Sequence, residues 1–195
     1  MIPTELLLAA YASGWFPMAD DEGVISWYSP DPRGIMPIDT FHVPSRLRRV
    51  VRRAAVQVDI DIAFEEVMRA CAEAEREPGD SGTWISDEII ESYCALHAQG
   101  YAHSVEVRQD GALVGGLYGV ALGGAFFGES MFHRATDASK VALVALVNRL
   151  RARGFVLLDT QWVTAHLQQF GALEIPRPEY LRRLDESLKL EVSFV

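Results

Sequence analysis

Only two cysteines, Cys71 and Cys94, occur in the 195 residues, far apart and without a CxxC spacing. That excludes a disulfide framework and a cysteine-ligated zinc site, and it fits a reducing cytoplasm. Histidine is equally sparse. His42, His97, His103, His133 and His166 show no metal-ligand spacing and read as isolated surface or core side chains, so no metal is expected. Long apolar runs are missing too. The longest uncharged stretch, Ala112 to Gly128, is shorter than the roughly 20 residues of a membrane helix. It also carries glycines at 115, 116, 119, 123, 124 and 128, which suit turns and close backbone approach and argue against a membrane span. The opening MIPTELLLAAYASGWFP has no basic leader and is interrupted by Glu5 and Tyr11, so it reads as a helix and not a signal peptide. Positive charge is in deficit: a net charge of −9 argues against uniform, nonspecific nucleic-acid binding.

What is present is ordinary globular composition, 49% apolar and 23% charged, enough for one substantial core with a small appended unit. The positive charge is concentrated. Arg46, Arg48, Arg49, Arg52 and Arg53 fall together with no acid among them; setting these five aside leaves −14 (−9 less 5) on the remainder. A helix opened by Pro44 and Ser45 places Leu47, Val50, Val51 and Ala54 on one arc and the five arginines on the opposite one. Such a cationic face on an acidic body steers a polyanion to one spot.

Elsewhere, Thr4 is expected to cap a helix to about Ser13, and Gly14 ends it. An irregular aromatic segment follows, from Trp15 to Arg33, whose prolines and acids forbid a long element. A small N-terminal unit is expected over 1–33 and the main domain over 34–195. A short strand is expected at 56–60 and helices at 63–77 and from Ser86 to Gly100, with Pro78 to Gly82 as a loop. Three strands follow at about 102–108, 112–120 and 124–130, joined by the turn signals Asp110-Gly111 and Gly123-Gly124. Asp137 is expected to cap a helix over 138–152. Then come a buried strand from Phe155 to Val163, a short helix capped by Thr164, strand 173–175, a helix from Pro178 to Leu188 and a strand 192–195. This order predicts an α+β (mixed α/β) sandwich with the topology of GNAT-type acyltransferases, an analogy of fold alone.

Three polar side chains sit where chemistry is expected. Glu129 lies at a strand end among apolar residues and glycine, so its carboxylate needs a partner or a raised pKa. It is either a site acid, base or amine-binding group, or a structural carboxylate. Asp159 and Gln161 are two apart at the end of a buried strand and are expected on one face. Gly128-Glu129-Ser130-Met131-Phe132 lacks the second glycine of a serine nucleophile elbow. A coenzyme A site is disfavoured because Asp137, not glycine, stands at the helix start where a pyrophosphate would bind.

Several motifs in fixed order resemble the leucyl/phenylalanyl-tRNA–protein transferases: Ser29-Pro30-Asp31-Pro32-Arg33, Thr83-Trp84-Ile85, Ala102-His103-Ser104-Val105-Glu106, Gly115-Gly116-Leu117-Tyr118-Gly119-Val120, Gly128-Glu129-Ser130-Met131-Phe132, Ala138-Ser139-Lys140 and Asp159-Thr160-Gln161. The resemblance runs from about Leu6 to Tyr180. It implies a bacterial cytosolic aminoacyltransferase, with a small N-terminal domain beside a GNAT-like domain and no metal or coenzyme. The enzyme would move leucine or phenylalanine, less readily methionine, from tRNA to a protein N-terminus beginning with arginine or lysine, marking it for degradation. A monomer is expected. The chain begins near the family's first long helix, so a reduced N-terminal unit is expected. Met18 stands where many members have tryptophan, Thr160 where cysteine is frequent, and His133 where serine is common.

In this reading Gln161 holds the attacking amine, Asp159 orients and polarises Gln161, and Glu129 binds the basic N-terminus or helps the amine lose its proton. The aminoacyl side chain would enter an apolar pocket drawn from Leu117, Phe126, Met131, Leu143, Leu146 and Leu158. Trp84 and Tyr93 would stack on the terminal adenosine, and the arginine helix would take acceptor-stem phosphates. Two other readings remain open: a coenzyme A-dependent N-acyltransferase and a noncatalytic RNA-binding module.

Overall fold

The computed structural model describes residues 1–20, 22–52, 56–74 and 83–195. In chain order the elements are α1 (Thr4–Ala12), β1 (Phe16–Ala19), β2 (Ile25–Tyr28), β3 (Arg33–Ile35), α2 (Ser45–Arg52), β4 (Gln57–Ile60), α3 (Phe64–Glu73), α4 (Asp87–Ala98), β5 (Ala102–Gln109), β6 (Ala112–Leu122), β7 (Ala125–His133), α5 (Ala138–Arg153), β8 (Leu157–Gln161), α6 (Ala165–Gln168), β9 (Leu173–Ile175) and α7 (Arg177–Leu188). The fold is mixed α+β, as expected.

A seven-stranded sheet runs in the order β4-β5-β6-β7-β8-β3-β9. Every neighbouring pair is antiparallel except β7 and β8, which are parallel and joined by the crossover helix α5. The β5-β6-β7 meander follows the turn signals: Asp110 and Gly111 both adopt positive φ, and so does Gly123. One core, with Leu7, Val67, Ile89 and Tyr180, packs one sheet face against α1, α3, α4 and α7. The second, with Leu47, Val144, Leu167 and Phe170, packs the other against α2, α5 and α6. Bulges at Val107/Arg108 and Tyr118/Gly119 shift which residues of the long strands face each core. At the second bulge a Cβ on Gly119 would stand 2.2 Å from the Phe127 carbonyl oxygen, so only glycine fits there.

In the N-terminal region the aromatic segment holds only short strands. Four-residue strands β1 and β2 form a small separate hairpin sheet. The expected boundary between 33 and 34 falls inside β3, which sits in the main sheet between β8 and β9. Its pairing partners, among them Asp159 and Ile175, lie far along the chain, a relation no local pattern carries.

Helix ends differ in instructive ways. Ser86 and Thr164 accept hydrogen bonds from the Ile89 and Leu167 amides, as expected of caps. Asp137 does not cap α5. Its φ of +65° turns the carboxylate away from the helix amides and toward Lys140 Nζ at 3.1 Å and Arg46 Nη2 at 2.9 Å. Thr4 does not cap α1 either; its hydroxyl accepts from Gln99 Nε2. The expected strand at 192–195 is a strap: Phe194 inserts into the core, stacked on His103 and Phe126, while Arg149 Nε donates to its carbonyl. The end of the helix expected over 63–77 and the Pro78–Gly82 loop lie outside the described residues.

Candidate active site

The parallel pair β7 and β8 is short. It holds only from Ala125 opposite Leu157 to Phe127 opposite Asp159. Beyond that β7 continues along β6 to His133, whereas β8 stops at Gln161, where φ reaches +62° and the chain turns off toward α6. The strands part, and a cavity of about 780 Å³ opens between them. Leu117, Met131, Leu143, Leu146 and Leu158 form an apolar wall on the α5 side. Phe16, Met18, Trp84 and Phe132 face it from the other core.

Glu129 stands where the strands divide, with the residue 8% exposed. Its Oε1 accepts from the Tyr11 hydroxyl at 2.7 Å and from Gln161 Nε2 at 3.0 Å. Tyr11 is in turn hydrogen-bonded to the buried Tyr93 hydroxyl. The second carboxylate oxygen, Oε2, is buried and has no hydrogen-bond partner among the described residues. Burial pushes the Glu129 carboxyl up to about 8, outweighing the Tyr11 and Gln161 hydrogen bonds that favour the ionised form; the negative Asp159 nearby adds to the rise. The same burial, with the charge of Glu129, raises both tyrosine hydroxyls well above their ordinary value.

Asp159 is fully buried behind this cluster and is not part of the cavity wall. The Arg33 guanidinium, 1% exposed, grips it through Nε at 3.0 Å and Nη2 at 2.6 Å. The Tyr180 hydroxyl donates to it at 2.7 Å and the Gln161 backbone amide at 2.8 Å. Arg33 also donates to the Gly14 carbonyl and lies between the Phe16 and Tyr180 rings. Asp159 thus reaches Gln161 through its main chain, holding the positive-φ turn. It does not touch the Gln161 side chain. That amide group spends its nitrogen on Glu129, which leaves the oxygen to face a substrate.

The structure therefore brings Glu129, Gln161 and five of the six expected pocket residues to one cavity, with Trp84 on its wall. Phe126 is excluded. Although it pairs with Leu158 across β7 and β8, its ring is buried in the second core against Phe194 and does not reach the cleft. Tyr93 is also misplaced as a stacking platform: fully buried, it meets Tyr11, Tyr118 and the Glu129 cluster and offers no face to a nucleotide. Arg46, Arg48 and Arg49 are exposed on α2, opposite the buried Leu47, as the periodicity requires. Arg52 ends α2 without a described side chain, and Arg53 lies outside the described residues. The arginine face is tied to the cleft, because Arg46 pairs with Asp137 beside Ser139, a cleft residue. That pairing weakens the repulsion that Asp137 would exert on a pyrophosphate. Burial raises its carboxyl, but the Lys140 and Arg46 hydrogen bonds and charges leave it below the ordinary value.

Arg33, Tyr11 and Tyr180 escaped the sequence reading as partners of the acidic groups. The signal available was the buried acid itself, which demands a cation or donors; which ones was hidden by separations of 118 residues for Tyr11–Glu129 and 126 for Arg33–Asp159, while Tyr180 stands 21 residues from Asp159. Among the described residues no cluster of three His, Cys, Asp or Glu side chains is arranged to hold a metal ion. No described helix is long and apolar enough to cross a membrane.

Comparison with known proteins gives a consistent picture. Residues 35–185 match the family model described as leucyl/phenylalanyl-tRNA protein transferase, and residues 1–31 match the one for its N-terminal domain. The chain is 56% identical to the leucyl/phenylalanyl-tRNA–protein transferase of Herpetosiphon aurantiacus, over 97% of this chain and 96% of that one. It is 58% identical to the protein of the same name from Paramagnetospirillum magneticum, over 96% of this chain and 90% of that one. Among solved structures, a GCN5-related N-acetyltransferase from Kribbella flavida aligns with a TM-score of 0.44 and 12% identity, covering 83% of this chain and 56% of that one.

Proposed function

Because the chain belongs to the leucyl/phenylalanyl-tRNA–protein transferase family, we propose that it transfers leucine or phenylalanine, and less readily methionine, from aminoacyl-tRNA to a protein N-terminus beginning with arginine or lysine. The observation that carries this reading is the parted β7–β8 cleft. An apolar wall suited to such side chains ends at the Glu129–Gln161 pair, and a cationic helix is linked to its rim.

The ester of aminoacyl-tRNA is already activated, so the chain has to position an amine and move one proton. A free α-amine has a pKa of about 7.7–8.0, and Glu129 is pushed up to about 8. The two are matched, so proton transfer between them is close to thermoneutral. In this scheme the Gln161 oxygen accepts one amine hydrogen while Glu129 takes the proton lost as the N–C bond forms. The proton then goes to the ribose oxygen released when the ester C–O bond breaks. Asp159 is a positioning residue, acting through the Gln161 main chain with its charge neutralised by Arg33. Arg46, Arg48, Arg49, Arg52 and Arg53 take acceptor-stem phosphates, and Trp84 stacks on the terminal base. The enzyme acts as a cytoplasmic monomer, and its product is a marked N-terminus destined for degradation.

The decisive experiment incubates the protein with radiolabelled leucyl-tRNA and a peptide beginning with arginine or lysine. Labelled peptide is expected, and its absence at every salt concentration overturns the reading. Tight binding of acetyl-coenzyme A, measured by calorimetry, would favour the N-acyltransferase alternative instead.

A further inference from the structure

The scheme above leaves several polar groups on the cleft wall unused, His166 among them. His166, the second residue of α6, lines the cavity, and its Nε2 is buried without a hydrogen-bond partner among the described residues. A buried, unsatisfied ring nitrogen costs stability unless something completes it. The ring is held in place: it packs on Phe170, and α6 is fixed by the Thr164 cap. The ring is therefore held at the cavity wall by a rigid support.

Its surroundings say which part of a ligand it meets. Burial, then the charges of Lys140 and His133, push the His166 pKa below the ordinary histidine value, so the ring is neutral at pH 7. A neutral imidazole suits a hydroxyl. Lys140 and Arg46 share the single negative charge of Asp137, and the net positive charge left repels the cationic acceptor and welcomes the anionic chain of an RNA. Glu129 and Gln161 line the same cleft, where the amine meets the ester carbonyl beside the ribose, and the apolar wall on the α5 side takes the aminoacyl side chain.

We propose that His166 Nε2 hydrogen-bonds the 2′-hydroxyl of the donor's terminal ribose, fixing the aminoacyl ester relative to Gln161. This rests on the aminoacyl-transfer reading. It assigns His166 as a donor-binding residue that recognises ribose against deoxyribose.

The test compares two donors in steady-state transfer to one peptide: phenylalanyl-tRNA ending in adenosine and the same tRNA ending in 2′-deoxyadenosine. With the unaltered protein, KM for the deoxy donor is expected to be about tenfold higher, the scale of one hydrogen bond. His166→Phe, which keeps a ring against Phe170, should raise KM for the ribose donor by a similar factor and abolish the difference between donors. His166→Gln should restore part of that difference; thermal unfolding of both variants establishes that they fold. A His166→Phe protein that still discriminates, or that loses equally on both donors, overturns the proposal. So does an unaltered protein that uses both donors equally well. An unaltered protein that transfers from neither donor overturns the function itself, a separable outcome.

Discussion

Replacing Glu129 by glutamine should change how stability depends on pH. The carboxyl titrates near its ordinary 4.5 in the unfolded chain and at about 8 in the folded one. The folded state therefore binds more protons between those values, and stability falls as pH rises through that window. Below about 4.5 both states are protonated and the group contributes no pH dependence; above about 8 the penalty of the buried charge is complete. Each unit of pKa difference is worth about 1.4 kcal/mol, so the whole window amounts to a loss on the order of 5 kcal/mol. Glutamine keeps an oxygen for Tyr11 and Gln161 but cannot ionise, so Glu129→Gln lacks this loss. Urea unfolding of both proteins at pH 5, 6, 7 and 8 measures it. The variant should be close to the unaltered protein at pH 5 and more stable by a few kcal/mol at pH 8. A difference that stays flat across those four pH values refutes the buried, raised carboxyl, and with it the proton-matching argument for the amine.

Arg33→Met leaves the buried Asp159 charge without its cation and should cost about 3–5 kcal/mol in chemical denaturation. Arg33→Met combined with Asp159→Leu should recover much of that loss, since no lone charge is then buried. Arg48→Glu with Arg49→Glu should raise KM for tRNA. It should also reduce the slope of log affinity against log salt by about one for each phosphate no longer neutralised, read by filter binding at several salt concentrations. Leu146→Ala enlarges the apolar wall, and the ratio of phenylalanine to leucine transfer should rise by about tenfold, the scale set by one or two methylenes in a pocket, measured by competition between the two charged tRNAs.

Local chemistry made the centre of the fold readable from sequence. The β5-β6-β7 meander follows from Asp110-Gly111 and Gly123-Gly124, and the starts of α4 and α6 from Ser86 and Thr164. The need of Glu129 for donors or a raised pKa followed from its apolar neighbours. What stayed hidden depends on distance along the chain. β3 is three residues long and has meaning only beside β8 and β9. Phe126 and Leu158 look alike as pocket candidates and pair with each other, yet Leu158 borders the cleft while Phe126 is claimed by Phe194, a residue from the far end of the chain. Tyr93 reads as an amphipathic surface ring until α1 delivers Tyr11 against it. Asp137 reads as a cap, yet its residue adopts a left-handed conformation and its carboxylate serves two cations.

The position of β3 also sets a timetable for synthesis. It leaves the ribosome well before its neighbours in the sheet, residues 157–161 and 173–175. The Arg33–Asp159 pair closes a span of 126 residues. Such late, long-range closure slows folding and keeps early segments waiting. A nascent chain that has emerged only as far as α5 has neither the second wall of the cleft nor the anchor for Gln161. The chain therefore gains the means to modify other proteins' N-termini only once β8 has been made.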